Sequence, residues 1–450
     1  MCRTRIVVVR ALLAVALVAI LTACGGGGGG GGAASADNPG PPAPISRVSV
    51  NSAGNEGNLS SDFAAIIADG RYVAFQSAAT DLVTGDTNVV NDIFVRDTVA
   101  GTTERISVSS AGAQSDSFAY EPAISGNGRY VAFYSNATNL VAVDANANYD
   151  VFLRDRTAGT TVRVSVDSSE AEATGGASEH PAISGDGRYV AFESVATNLV
   201  AADNNGVRDV FVRDTVAGTT ERVSVDSAEA EATGISVSPA ISADGRYVAF
   251  ASVAGNLVTG DTNSTYDVFL RDRTAGTTER VSVDSDEGQA TGGASWNPAI
   301  SADGRYVVFE SSATDLVVSD TNSASDVFLR DRLLGTTVRV SVDSAGSQAD
   351  EDSYSASISL DGRYVSFVSS ATSLVSGDTN GLADVFVRDT ASGTTVRASV
   401  DMAGNEATGG NNANPTISAD GRYVAFDSEA DNLVTGDTNI AVDVFRAPAR

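Results

Sequence analysis

The sequence predicts an all-β fold: a seven-bladed β-propeller with four antiparallel strands per blade, closed by an N-terminal strand that completes the last blade. Three observations carry this. Gly-Arg-Tyr recurs seven times, with its tyrosines at Tyr72, Tyr130, Tyr189, Tyr247, Tyr306, Tyr364 and Tyr423, at intervals alternating between 58 and 59 residues. A period that regular marks stacked copies of one supersecondary unit. No stretch of the repeat shows a helical period, and each unit reads as four short strands separated by turn residues. A Ser-Val-containing segment, Arg47-Val48-Ser49-Val50, also occurs seven times, recurring at Arg105, Arg163, Arg222, Arg280, Arg339 and Arg397. Its first copy precedes the first Gly-Arg-Tyr and none follows the last. The chain starts with the end of one unit and finishes with a unit lacking that end, which a closed ring needs and an open solenoid does not.

Residues 294–344 show the unit. Pro298-Ala299-Ile300-Ser301 is a short apolar strand ending at the turn Asp303-Gly304. Residues 305–310 (Arg-Tyr-Val-Val-Phe-Glu) are β-branched and aromatic, a strand buried on both faces. A loop with Leu316-Val317 and Asp320-Thr321-Asn322 leads to a third strand over 326–330. Gly335-Thr336-Thr337 turns into a fourth over 338–342. Strand direction alternates, so the tight 1–2 and 3–4 connections share one face and the long 2–3 and 4–1 connections share the other. The 4–1 loops, among them 167–179, 226–234 and 343–352, are rich in Gly, Ala, Glu and Asp and vary most between copies, which predicts an acidic loop face. The arginines of Gly-Arg-Tyr and of Val-Arg-Asp are expected on the tight face beside the turn aspartates. The last unit supplies three strands, ending at Asp443-Val444-Phe445. The strand over about 45–51 supplies the fourth and removes the exposed edge.

The run Ser-x-Asp-Gly-Arg-Tyr-Val-Ala-Phe followed by Asp-Val-Phe-Val-Arg-Asp resembles the WD-like propeller repeat of the periplasmic TolB type, in which Ser-Pro-Asp-Gly and a basic residue precede an apolar strand. The resemblance covers all seven units and implies the propeller fold. The chain departs from it in having Ala243 or Leu360 where that family has proline, in a longer blade, and in lacking the α/β domain that precedes the TolB propeller. The fold therefore carries over better than a role in Tol-dependent transport.

The first residues read as an export signal. Arg3, Arg5 and Arg10 precede an apolar stretch over 11–21 that is too short to span a bilayer stably. Leu21-Thr22-Ala23-Cys24 resembles a bacterial lipoprotein cleavage box. That resemblance implies a signal peptide over 1–23, lipid on Cys24 and, because Gly25 rather than aspartate follows, the outer membrane of a Gram-negative cell. Residues 24–44 read as a Gly/Pro-rich tether and 45–450 as the ring. Cys2 leaves with the signal, so the ring has no cysteine for a disulfide and must be held by its core. The net charge is −28, and all 29 basic residues are arginine. That balance argues against nucleic acid and anionic membrane as partners and favours cations or basic proteins. Membrane contact is expected through the N-terminal lipid only, and the ring is expected to be a monomer.

One motif recurs without exception, Asp-x-Asn-x-x-x-Asp. Its copies are Asp86/Asn88/Asp92, Asp144/Asn146/Asp150, Asp203/Asn205/Asp209, Asp261/Asn263/Asp267, Asp320/Asn322/Asp326, Asp378/Asn380/Asp384 and Asp437/Asn439/Asp443. Oxygen ligands at this spacing suit calcium. The pattern is similar to the Asp-x-Asn-x-Asp-Gly loops of integrin-type propellers and dockerins, without the central Asp-Gly and two residues shorter. The same residues suit Asx turns, in which they accept loop N–H groups, and both readings stay open. Ser-x-Asp-Gly-Arg-Tyr also looks like the sialidase Asp-box, but its spacing is wrong by one and the tryptophan is missing.

His180, the single histidine, precedes Pro181 where other copies have Glu121, Ser238 or Asn297, and is expected at the surface or in the channel. Tyr120 and Trp296 sit at the ends of 4–1 loops, as candidates to line the mouth and stack on a ligand or as blade packing. No Gly-x-Ser-x-Gly nucleophile elbow is present. The chain is therefore expected to be a non-enzymatic scaffold that binds a protein or polysaccharide on its acidic loop face. The alternatives are a calcium-stabilised structural or adhesion protein of the envelope and a propeller hydrolase or lyase.

Overall fold

A computed structural model of the protein describes residues 44–449. The leader, Cys24 and nearly all of the tether lie outside the described residues, so the readings placed on them are not addressed by the fold.

The described residues form seven four-stranded antiparallel sheets. Blade 1 runs outward from the axis as Ser61–Ile66, Tyr72–Ser77, Asp92–Asp97 and Thr102–Arg105, and blades 2 to 6 repeat it. Blade 7 has Asn412–Ile417, Tyr423–Ser428 and Asp443–Pro448 from the C-terminal end, and its outermost strand is Ser46–Arg47 from the other end of the chain. Ser46 pairs with Arg446 and Arg47 with Phe445, and the Val48 N–H donates to the Val444 carbonyl at 2.7 Å. The ring thus closes by the expected offset.

The outermost strands begin and end earlier than the sequence suggests. In blade 5 the strand is Thr336–Arg339 rather than 338–342, and the closing strand is two residues long rather than spanning 45–51. The alternation Val-Arg-Val-Ser-Val has the period of a strand, but its serine ends the ladder. Ser341 is wholly buried, its Oγ donates to Asp326 Oδ1 at 2.6 Å, and it accepts the Val327 N–H at 3.1 Å. The side chain thereby takes up a backbone donor that a neighbouring carbonyl would otherwise pair. The chain then turns into a small hairpin, with Val342 bridged to Gln348.

That hairpin opens every 4–1 connection and packs on the outermost strand of the next blade, where Thr395 Oγ1 donates to the Val342 carbonyl at 2.6 Å. The Val-Arg-Asp arginines go there too, not to the turn aspartates. Arg388 Nη1 donates to the Asp343 carbonyl at 2.8 Å, and Arg213, Arg271 and Arg330 pair with Glu170, Glu229 and Glu287 of the hairpins. Part of the acidity expected on the loop face is neutralised at the rim in this way.

The core lies between blades. Ala249, Val268, Leu270 and Val281 of blade 4 pack on Val307, Phe309, Ala313 and Leu316 of blade 5. Inside each blade two wholly buried phenylalanines from neighbouring strands stack, as Phe309 and Phe328 do at 6.0 Å between ring centroids. Each such burial stabilises by roughly 1.5–3 kcal/mol.

On the tight face the Gly-Arg-Tyr motif locks neighbouring blades. Gly187 has φ +80°, and a Cβ there would fall 2.2 Å from Cδ2 of Tyr130 in the blade before it, so glycine is required twice over. Arg246 holds Asp272 through two nitrogens at 2.9 and 2.6 Å and lies over the Tyr247 ring at 4.7 Å. The departure from proline also finds its cause here. The N–H groups of Gly126, Gly185, Ala243, Ala302 and Leu360 each donate to the equivalent carbonyl of the next blade. Proline has no N–H to give.

Candidate functional site

Each Asp-x-Asn-x-x-x-Asp set is brought together by the fold. In blade 6 Asp384 is wholly buried. It accepts Ser399 Oγ at 2.6 Å and Asn380 Nδ2 at 3.1 Å. The same Asn380 amide donates to the Ala407 carbonyl at 3.0 Å, while its oxygen accepts the Leu382 N–H at 2.8 Å. This is an Asx turn, and the asparagine oxygen that would ligate a metal is already engaged.

The other six asparagines are held in the same way. The side-chain oxygens of Asn88, Asn146, Asn205, Asn263, Asn322 and Asn439 accept the N–H groups of Val90, Asn148, Val207, Thr265, Ala324 and Ala441. Their amides donate to the carbonyls of Ser115, Ala173, Ala232, Ala290, Ala349 and Gly57, at 2.8 to 3.1 Å. In Asn88, Asn146, Asn205, Asn263, Asn322, Asn380 and Asn439 alike, this geometry is that of the Asx-turn reading. Each spends its oxygen on the turn and turns its amide, a donor that repels a cation, towards the next hairpin.

A cation stands among the carboxylates of these loops, and it belongs to the chain. Arg397 Nη1 lies 3.3 Å from Asp378, 3.0 Å from Asp384 and 3.1 Å from Glu406. Arg47, Arg105, Arg163, Arg222, Arg280 and Arg339 repeat the pairing with two aspartates, and Arg47, Arg163 and Arg222 also reach a glutamate. Glu56, Asp437 and Asp443 are close enough to share one metal ion, yet Arg47 reaches all three. Burial pushes the Asp443 carboxyl up to about 6, against its bonds from Ser49 and Arg47.

The second candidate is the central channel, a cavity of about 410 Å³ lined by the innermost strands of all seven blades. The third residue of each innermost strand faces it: Phe63, Glu121, His180, Ser238, Asn297, Ser355 and Asn414. All seven are left-handed, with φ between 44° and 53°, a conformation uncommon for residues other than glycine. The cause is a β-bulge, since in every blade the register shifts between the second and fifth residues of this strand. Pro122, Pro181, Pro239, Pro298 and Pro415 follow the left-handed residue, at the edge-strand bulge where a strand tolerates proline. A bulge re-aims a side chain, and here it turns one per blade into the channel.

A layer behind the ring holds several of these residues in place. Glu193 accepts the Ser238 N–H at 2.8 Å, Glu310 accepts the Ser355 N–H at 2.6 Å, and Gln76 accepts the Glu121 N–H at 2.9 Å. Burial pushes the Glu310 carboxyl up, against bonds from Ser355, Asn297 and Trp296. Burial likewise pushes Asp427 up to about 7, with the charge of Asp62 adding and a bond from Asn414 opposing.

Of the three aromatic or imidazole candidates, one lines the cavity. His180 does so, with Nδ1 2.6 Å from Glu121 Oε2 and Nε2 3.7 Å from Glu193. Its pKa is raised: burial opposes, but the bond to Glu121 and the surrounding carboxylates prevail. Arg208 pairs with Glu179 and Glu193 beside it. Tyr120 sits one residue off the ring, packed on Phe118 and Tyr134 at 5.8 and 5.5 Å. Trp296 is placed likewise and donates Nε1 to Glu310 at 2.6 Å. Ring residues the sequence reading passed over are Phe63, Ser355 and Asn414. The residue-proline pair inside a strand marks Asn414 before Pro415, whereas Phe63 and Ser355 precede Ala64 and Ala356 and are found only by their place in the repeat.

No family model and no curated protein matches the chain. Among solved structures, an oligogalacturonate lyase of Vibrio parahaemolyticus aligns with a TM-score of 0.52 at 10% identity, over 90% of this chain and 93% of that one. The β-propeller domain of the Trilobed protease of Pyrococcus furiosus, which has an open velcro topology, aligns at 0.51 and 10%, over 86% and 95%. TolB of Acinetobacter baumannii aligns at 0.38 and 13%, over 84% and 76%. At these identities the likeness is one of fold.

Proposed function

We propose that the protein is a binding scaffold that takes a protein or polysaccharide ligand at the central channel, without chemistry. One observation carries the reading. The frame repeats almost residue for residue, while the seven left-handed positions aimed into the channel hold phenylalanine, glutamate, histidine, serine and asparagine side chains. Left-handed residues other than glycine cost on the order of 1–3 kcal/mol each and cluster where a scaffold over-determines them for use. An enzymatic reading on the lyase pattern is disfavoured by charge. An oligogalacturonate is a polycarboxylate, and this channel is backed by Asp62, Glu193, Glu310 and Asp427.

Binding of the protein to arrays of peptides and glycans tests the proposal. Ser238→Phe places in blade 4 the side chain that Phe63 carries at the same φ in blade 1, narrowing the channel without new strain. It is expected to weaken binding at least about tenfold and to leave the melting temperature unchanged. Array ligands that ignore this variant would place the binding surface elsewhere and overturn the channel reading.

The setting we propose is the cell envelope, with Cys24 as a lipid anchor. Multiple acylation is needed for firm attachment, because a single chain binds a membrane only marginally. Labelling with a fatty-acid analogue is expected to mark the wild-type protein and not Cys24→Ser. An unlabelled wild-type protein contradicts the anchor.

A further inference from the structure

Resting on the channel reading, we infer that the ligand presents an organic cation, an ammonium or guanidinium group, seated where blades 7, 1 and 2 meet at the channel. Phe63 and Glu121 line the cavity on adjacent blades. Behind Phe63 stand two carboxylates that no arginine reaches among the described residues, Asp62 and Asp427. Asp427 is 4% exposed. Its Oδ2 accepts Asn414 Nδ2 at 2.9 Å, and its Oδ1 makes no hydrogen bond of ordinary geometry, although the backbone N–H groups of Phe63 and of Asp427 itself act weakly on the carboxylate. Buried carboxylates are ordinarily paired or fully hydrogen-bonded: arginine serves every rim loop, Arg208 serves Glu179 and Glu193 across the channel, and Glu310 has both oxygens bonded, by Trp296, Asn297 and Ser355. The charges of Asp427 and Glu121 both reach Asp62.

The aromatic face decides the kind of cation. Phe63 is 37% exposed on the channel side, and an aromatic ring over which a cation can lie, with carboxylates beside it, selects ammonium or guanidinium. The molecule uses the same pairing internally, with Arg71 over the Tyr72 ring at 4.8 Å while bonded to Asp97. A metal ion fits less well, since Asp62, Glu121 and Asp427 are not grouped closely enough to share one. Burial holds Asp62 and Asp427 above the usual carboxylate range. A cation placed beside them lowers both, so binding near neutral pH releases protons.

Titration calorimetry of the protein with spermidine, with arginine amide and with a short peptide ending in arginine tests this. Saturable binding of any of the three is expected, weakening as salt is raised and with a heat that depends on the buffer's ionisation enthalpy. A response to the small amines indicates a free amine ligand; a response to the peptide alone indicates a protein partner. The repeat supplies substitutions its own frame tolerates: Asp62→Ala as at Ala413, Asp427→Val as at Val368, and Phe63→Ser as at Ser238. Each is expected to weaken binding several-fold or more, with unchanged or higher melting temperature. No binding of any probe, or variants that bind as well as wild type, overturns the inference. An array ligand that is neutral or anionic yet lost in Ser238→Phe would overturn it while leaving the channel reading intact.

Discussion

Arg397 stands between two aspartates and a glutamate with its side chain only 9% exposed, and Asp384 beside it is fully buried. Removing one partner of such a pair leaves an uncompensated buried charge, which costs about 3–5 kcal/mol. Arg397→Ala is therefore expected to lower stability by that order in denaturant unfolding, and Arg397→Lys to recover only part, because a single ammonium can approach the three carboxylates but cannot also make the bond that Nη2 gives the Gly377 carbonyl at 3.2 Å. Calcium added to the wild-type protein is expected to leave its melting temperature unchanged, since it would have to displace the guanidinium. A rise with calcium that magnesium does not match would instead favour calcium in these loops. The motif itself was legible in the sequence, but its cation was not. The arginine lies at the end of the outermost strand, 13 residues beyond Asp384 in sequence, and only the fold of the blade brings them together.

The two-residue closing strand does more than its length suggests. It carries Arg47, which pairs with Asp437 and Asp443 at 2.8 and 3.2 Å, and leads to Ser49, whose Oγ holds Asp443 at 2.5 Å. Deleting residues 45–51 strips blade 7 of its edge and of the partners of a buried carboxylate. A loss of several kcal/mol or aggregation through the freed edge is expected, and an unchanged transition in scanning calorimetry would contradict closure as described. The repeat, the blade count and this closure were readable because a period and an offset survive any error in strand boundaries. The ends of the outermost strands were not, because Ser341 and its equivalents end the ladder through a side-chain bond that alternation does not reveal. The hairpins that follow read as long variable loops for the same reason. At the channel, the variable position of His180 before proline is visible in the sequence, whereas its left-handed backbone follows from the bulge and needs the strand register.

Over the whole molecule two sets of carboxylates set opposite pH limits. Asp155, Asp214 and Asp272 are bonded by tight-face arginines, which hold them down to about 2. Their stabilisation is full above the unfolded value of 3.8 and is lost as pH falls toward about 2. Burial holds Asp427 and Asp443 up to about 7 and about 6. Their folded state favours the proton, so their contribution is full below 3.8 and is lost as pH rises through about 6 and about 7. Thermal melts across pH are expected to peak at about pH 4–5, and Asp427→Val is expected to flatten the alkaline side; a wild-type maximum at neutral pH or above would contradict this balance. Across the whole molecule one repeated frame presents one variable ring. The most direct measurement replaces that ring and leaves the frame: Phe63, Glu121, His180, Asn297 and Asn414 all changed to the serine that Ser238 and Ser355 already carry at the same φ. Calorimetry of this variant is expected to show one cooperative transition within a few degrees of wild type, with array binding abolished. Retained binding, or a collapse of the transition, would contradict that separation of ring from frame.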